Sequence, residues 1–304
     1  MTVSLQDALA RQGYQGRVVS SQRCHDLREE IEARHRDGLL DEGVYQRYLS
    51  RFTFTPPEDM PDARSLIIVA APQPQVRFTF TWNGRQTPVL VPPTYLHGDD
   101  ADRQVAEALS AILQPHSYRV AQAALPEKLL ATRSGLAAYG RNNITYVAGM
   151  GSFHRPAAFF SDLPCPQDDW QEPRMLERCG RCSACLRACP TGAIPADRFL
   201  LHAGRCLTFH NEKPAAVPFP AWLEPAWHNC LVGCLHCQRA CPENRDCLDW
   251  VEEGAAFSAE ETALLLQNTP LERFPTATVE KLERWDLSAI IDIFPRNLGV
   301  LLTH

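Results

Sequence analysis

The chain has 304 residues, 45% hydrophobic and 22% charged, with a formal net charge of −6. That is the range of an ordinary globular protein, long enough for a large domain with an appended module, and its acidic balance gives no general attraction to nucleic acid. The longest apolar run falls far short of the ~20 residues of a membrane span, and no basic stretch leads into an apolar core near the N-terminus, so neither a membrane segment nor a secretory leader is expected.

In chain order, Ser20 and Ser21 are candidate caps of a helix that carries Leu27 and Ile31 on one face and closes at Gly38. Residues 66–71, LIIVAA, lie between Ser65 and Pro72 and read as a strand buried on both faces. Val76, Phe78, Phe80 and Trp82 alternate with more polar residues, Asn83-Gly84 follows, and Val89 and Val91 alternate again, which predicts a β-hairpin. Residues 99–113 return to helical spacing through Val105, Leu109 and Ile112. From Cys165 to about Asn244, Pro, Cys and Gly dominate, as in a small module held by metal clusters. Helical patterns resume at 260–266 and 279–285. The predicted organisation is α+β: an α/β domain over 1–168, a cluster module over 169–250, and a helical tail over 251–304 that packs back on the body.

Twelve cysteines are the anomaly. Cys179, Cys182, Cys185 and Cys189 read C-x2-C-x2-C-x3-C and precede Pro190, which is the bacterial signature of [4Fe–4S] ligation. Three thiolates on one tight loop reach three corners of a cube, and the fourth points to a second cube. Cys234, Cys237 and Cys241 with Pro242 repeat the spacing with one ligand missing, and Cys206 stands between the runs to supply it. Crossing the fourth ligands puts one cluster on Cys179, Cys182, Cys185 and Cys241, and the other on Cys189, Cys206, Cys234 and Cys237. Zinc is the bland alternative, since His236 lies inside the second run. Cys230 competes with Cys206, Cys247 is a bystander, and Cys24 and Cys165 read as buried thiols.

Residues 131–164 are rich in glycine. Gly135, Gly140, Gly149 and Gly151 let backbone approach a flat or anionic ligand, and Arg133 and Arg141 can address phosphate or carboxylate. A solvated surface loop is the alternative.

In order and spacing, ATRSGLAAYGRNN, the GSF some ten residues on, RCGRCSACLRACPTGAI, RC and GCLHCQRACP resemble epoxyqueuosine reductase, a family related to the corrinoid reductive dehalogenases. The likeness covers roughly residues 127–245 and extends loosely to RSLIIVA and the terminal PRNLGVLL. It implies a nitroreductase-like α/β domain holding cobalamin, followed by a ferredoxin-like module whose two [4Fe–4S] clusters deliver electrons to cobalt. The implied cofactor-binding residues are Arg133, Gly135, Arg141, Asn142, Gly151, Ser152 and Phe153. An external donor of ferredoxin or flavodoxin type and a small-molecule or modified-nucleoside substrate are implied as well; the closely spaced cysteines fit metal binding in a reducing cytoplasm, and the net charge lends tRNA no support. The chain departs from the family where Ala121 takes the place of its proton-donor Asp. Tyr139, Tyr146 and Glu127 are then the candidate proton sources. The rival from another class is a non-catalytic two-cluster electron carrier or reductive activator of a partner protein.

Overall fold

The computed structural model describes residues 4–303. Helix α1 (Leu5–Ala10) leads into strand β1 (Gln15–Ser20), helices α2 (Arg23–Arg36) and α3 (Glu42–Tyr48), and strands β2 (Ser65–Pro72), β3 (Gln75–Trp82) and β4 (Arg85–Val91). Next come α4 (Gly98–Leu113), β5 (Val120–Gln122), α5 (Glu127–Arg133), the short strands β6 (Ala138–Tyr139) and β7 (Thr145–Tyr146), and β8 (His154–Ser161). The remainder carries α6 (Ala184–Ala188), α7 (Leu207–Asn211), α8 (His236–Arg239), β9 (Val251–Phe257), α9 (Ala259–Leu266), α10 (Thr276–Arg284) and α11 (Phe294–Thr303). Among the described residues no helix is long and apolar enough to cross a membrane.

These elements form two compact units that interleave along the chain. One comprises the chain up to Gln73, Gly98–Ser183 and Ile194–Ala203; the other comprises Pro74–His97, Ala184–Ala193 and the chain from Gly204 onward. The hairpin at 75–91 therefore sits in the unit that also holds the C-terminal helices.

The first unit is built on a sheet of order β1-β2-β8-β5, antiparallel throughout. Strand β2 is buried on both faces, as its unbroken apolar sequence predicts. Leu66, Ile68 and Ala70 join a core with Leu27 of α2 and Leu129 and Leu130 of α5, while Ile67, Val69 and Ala71 join a core with Leu9 of α1 and Val105 and Leu109 of α4. The period-2 geometry of a strand divides neighbouring residues between the two cores. Each large side chain contributes about 1.5–3 kcal/mol of burial. Gly38 closes α2 with φ +67. Ser20 is the last residue of β1 and accepts from the Gln22 N–H instead of capping α2 directly. A charged group is enclosed beside this sheet. Asp102 of α4 receives Nε and Nη2 of Arg155 from β8 at 2.7 and 2.8 Å, and Nε2 of Gln122 from β5 at 3.1 Å.

The second unit has a sheet of order β4-β3-β9. Trp82 pairs with Arg85 across Asn83-Gly84, and both turn residues have positive φ (49 and 72°), the two-residue hairpin that Asn-Gly favours. Strand β9 runs parallel to β3, and Phe257 stacks on Phe80 with ring centroids 4.8 Å apart. The sequence VEEGAAF gives no alternation and falls in the helical tail predicted over 251–304, but the structure corrects this: pairing with β3 makes it a strand. Ser258 and Glu261 form a reciprocal capping box that starts α9. Leu265, Leu282, Phe294 and Leu298 of the terminal helices close over Phe78, Phe80 and Val89 in one core.

Candidate functional site

In the second unit, cysteines from distant parts of the sequence converge. Cys206 precedes α7, Cys234 lies just before α8 and Cys237 within it, and Cys189 follows α6. Burial raises the Cys206 thiol above its ordinary pKa, and the nearby Cys189 raises it further. Burial likewise pushes the Cys234 thiol far up, with Cys230, Cys206 and Cys189 adding to the effect. Cys189, Cys206, Cys230 and Cys234 thus share one locality. Cluster loading must displace protons from these buried thiols, so it is coupled to pH.

The C-x2-C-x2-C-x3-C spacing followed by Pro190 suits an iron–sulfur cube better than zinc. One zinc ion bonds sulfur at ~2.3 Å, so its ligands lie within about 4 Å of each other. Among the described residues no three His, Cys, Asp or Glu side chains gather as a single ion demands. A four-iron cube holds its thiolates farther apart. His236, the candidate zinc ligand, faces the Trp227 carbonyl at 2.9 Å through Nε2.

The scaffold around these cysteines is polar and specific. Gly233 has φ +67, and a Cβ there would meet the Tyr95 ring at 2.7 Å, so only glycine brings the chain into Cys234 at this point. Tyr95 donates its hydroxyl to Glu212 at 2.6 Å. Asn297 of α11 donates to the carbonyls of Asn211 and Leu231 at 2.9 and 2.8 Å, and Arg296 donates to those of Lys213 and His210 at 2.7 and 3.0 Å. The Arg-Asn pair of PRNLGVLL therefore clamps the segments that follow Cys206 and Cys230. Cys185 lies buried on α6, which packs against α8, and Cys241 follows α8. Cys24 and Cys247 are buried, whereas Cys165 is partly exposed and its thiol donates to the Gln167 carbonyl, contrary to the expected buried thiol.

In the first unit, Cys179 is buried within a single 3-10 turn, and Cys182 follows it, partly exposed. The Arg141 backbone N–H donates to the Cys179 sulfur at 3.4 Å, and Arg141 Nη2 donates to the Cys179 carbonyl at 2.8 Å. The Nε of the same guanidinium is buried with no hydrogen-bond partner. Arg133, by contrast, is committed internally, with Nη2 on Glu30 at 2.7 Å and Nη1 on Glu172 at 2.9 Å. Gly135 follows α5 beside Gln171. Asn142 is buried and donates to the Tyr146 hydroxyl at 2.9 Å.

Gly151 has φ +55 and bridges to Val147, with Ser152 and Phe153 buried behind it. A Cβ at Gly149 would meet no heavy atom within 4 Å. His154, which the sequence reading passed over, holds this turn. Burial lowers its pKa to about 4, so the ring is neutral. Nδ1–H then donates to the Gly151 carbonyl at 3.1 Å, and Nε2 accepts from Thr145 at 3.3 Å. The signal was present in GSFH, whose histidine stands next to the glycine turn.

Glu127 opens α5, half-buried, and burial raises its carboxyl to about 7, with Asp102 raising it further and Arg155 opposing. Tyr139 and Tyr146 are both buried. Between pH ~4.5 and ~7 the folded state holds the Glu127 proton while the unfolded chain has lost it, so stability must fall as pH rises through that window. Glu127→Gln is expected to flatten this slope and to be more stable than wild type above pH 7. Urea unfolding midpoints at pH 5, 6, 7 and 8 check it, and parallel slopes in the two proteins would refute it.

The 4Fe-4S double cluster binding domain family matches residues 178–244. The epoxyqueuosine reductase of Pseudomonas aeruginosa is 36% identical over 146 residues, covering 47% of this chain and 39% of that protein. The chain thus matches about two fifths of the length of this curated relative. The structure of epoxyqueuosine reductase from Bacillus subtilis superposes with a TM-score of 0.66 at 21% identity, covering 95% of this chain and 77% of that one. An epoxyqueuosine reductase solved with an epoxyqueuosine-modified tRNA-Tyr stem loop gives 0.64 at 21% identity, covering 95% and 77%. The chain is a divergent relative of the epoxyqueuosine reductases and carries a double [4Fe–4S] cluster domain.

Proposed function

We propose that this chain is a cobalamin-dependent iron–sulfur reductase whose clusters are filled by an external donor of ferredoxin or flavodoxin type. The observation that carries this is the 3.4 Å hydrogen bond from Arg141 to Cys179, which joins the glycine-rich loop to a ligand of the first cluster. A contact of this kind keeps a group held by that loop close to the cluster that would reduce it. The residues present fit a corrinoid. The unpartnered Arg141 Nε–H suits an amide or phosphate oxygen, and the open side of Gly149 and the turn at Gly151 let backbone approach a flat ring. When bound, the corrinoid supplies a redox-active cobalt of strong reducing power.

The chain's own part is to position and to protonate. Asn142, fixed by Tyr146, and Gly151, fixed by His154, hold the loop in one shape. Ala121 brings no proton; it lies on β5 opposite Phe160 of β8. Burial raises the Glu127 carboxyl to about 7, so it is still partly protonated near neutral pH, and α5, which it opens, packs on β7 and β8. It is the candidate acid. The substrate class is a modified nucleoside or another small electrophile; relatives named epoxyqueuosine reductase support the first.

The test is calorimetric titration of the anaerobically purified protein with cob(II)alamin. Binding is expected, with about 2.7 kcal/mol of thermal stabilisation at a hundredfold excess over Kd. Gly151→Trp, which fills the turn, is expected to abolish binding without changing iron content. A wild-type protein with both clusters and no corrinoid affinity would remove this function and leave the non-catalytic electron carrier.

A further inference from the structure

The two cluster runs share a repeat that ligation does not require. Residues 185–190 read C-L-R-A-C-P and residues 237–242 read C-Q-R-A-C-P. Arg187 and Arg239 thus occupy equivalent places, each two residues after one ligand and two before another. They lie on α6 and α8, which pack against each other. Both arginines are exposed, as are Arg205 and Arg245 of the same unit. The charge of the region differs from that of the whole. Residues 178–245 hold seven Arg and one Lys against four carboxylates, in a chain whose net charge is −6. One of the four, Glu212, is occupied by Tyr95.

Exposed guanidinium groups have two possible uses beside a cluster. They can offset its negative charge, or they can present positive potential to an incoming molecule. Solvent screens an exposed charge from a buried cluster, which weakens the first use, although Arg239 does act on the buried Cys230 thiol. The second gains from exposure, because complementary surface charge raises encounter rates by 10- to 10³-fold and orients the partner.

We propose that Arg187 and Arg239, with Arg205 and Arg245, form the docking surface of the electron donor, and that the donor is a small acidic electron-transfer protein. In the docked pair one electron passes from the reduced donor to a cluster; the donor is oxidised by one electron, the cluster is reduced by one, and no bond is made or broken. This rests on the clusters being filled from outside but does not depend on cobalamin.

Anaerobic stopped-flow reduction of the cluster-loaded chain tests it with two reductants: reduced flavodoxin, an acidic protein, and the methyl viologen radical cation. For Arg187→Glu/Arg239→Glu, iron content and dithionite bleaching are expected to stay at wild-type values. The bimolecular rate with flavodoxin is expected to fall about 10- to 100-fold at low salt and to lose its salt dependence. The rate with viologen is expected to hold or rise. Arg187→Lys/Arg239→Lys should keep most of the flavodoxin rate, and Arg245→Glu, away from the ligand repeat, should give a smaller loss should the double variant lose iron. An unchanged flavodoxin rate and salt slope, or equal slowing with both reductants, overturns the proposal. Because no corrinoid enters the assay, its failure is separate from failure of the cobalamin titration.

Discussion

Replacing Cys206 with serine is expected to lower the iron content from about eight to about four per chain, whereas Cys230→Ser is expected to keep about eight. The two cysteines compete for one ligand place, and their surroundings separate them. Cys206 feels Cys189, and Cys234 feels Cys230, Cys206 and Cys189. Cys230 is fully buried, its thiol is pushed up to about 12 by burial, and the nearby groups acting on it are Arg239 and the Leu235 backbone, not Cys189. A crossed cluster needs Cys189, so Cys206 is the better fourth corner. Loss of that cluster should also lower the stability of the second unit, since clusters take the place of a packed core there. Iron and sulfide analysis with EPR of the two variants checks this. A Cys206→Ser protein with both clusters, beside a Cys230→Ser protein with one, would reverse the assignment.

The second large effect is expected at Asp102, where alanine should cost about 3–5 kcal/mol of stability. Arg155 makes two parallel hydrogen bonds to this carboxylate, whose side chain is only 7% exposed. Removing the acid strands a mostly buried guanidinium, which is the costly half of such a pair. Exchanging both partners, Asp102→Leu with Arg155→Met, should recover most of the loss, because two apolar groups leave no charge behind. Urea unfolding of the two single variants and the double variant closes the cycle; a double variant as unstable as the sum of the singles would refute it. Asp102→Ala should also lower the pKa of Glu127, which Asp102 raises and Arg155 lowers.

How far the sequence revealed all this depended on distance along the chain. The hairpin was legible because Asn83-Gly84 specifies its own turn, and β2 because six consecutive apolar residues fit a strand covered on both faces. Helices α4, α9 and α10 announced themselves through their spacing. Strands β1 and β9 did not, since their partners lie about fifty and a hundred and seventy residues away. The same holds for the sites. Cluster ligands are readable because a cube imposes local spacing on thiolates. The Arg141 contact with Cys179 spans 38 residues, and the engagement of Arg133 by Glu30 spans 103. Nothing in the local pattern told one arginine from the other, although one is spent on an internal ion pair and the other has a donor to spare.

The parallel pairing of β3 with β9 has a consequence during synthesis. Ribosomes add ~5–20 residues per second, so on the order of ten seconds or more separates the emergence of Thr79 from that of its partner Ala256. In that interval β3 and β4 are a lone two-stranded hairpin, marginal in water, with one edge unpaired and Phe78 and Phe80 uncovered. The nascent chain thus carries a sticky half-sheet that nothing N-terminal to it can complete within its own unit. A chain released before β9, or starved of iron so that the cluster segments stay loose, would leave that half-sheet waiting. Chaperone demand should therefore track the C-terminal third of the sequence more than the first.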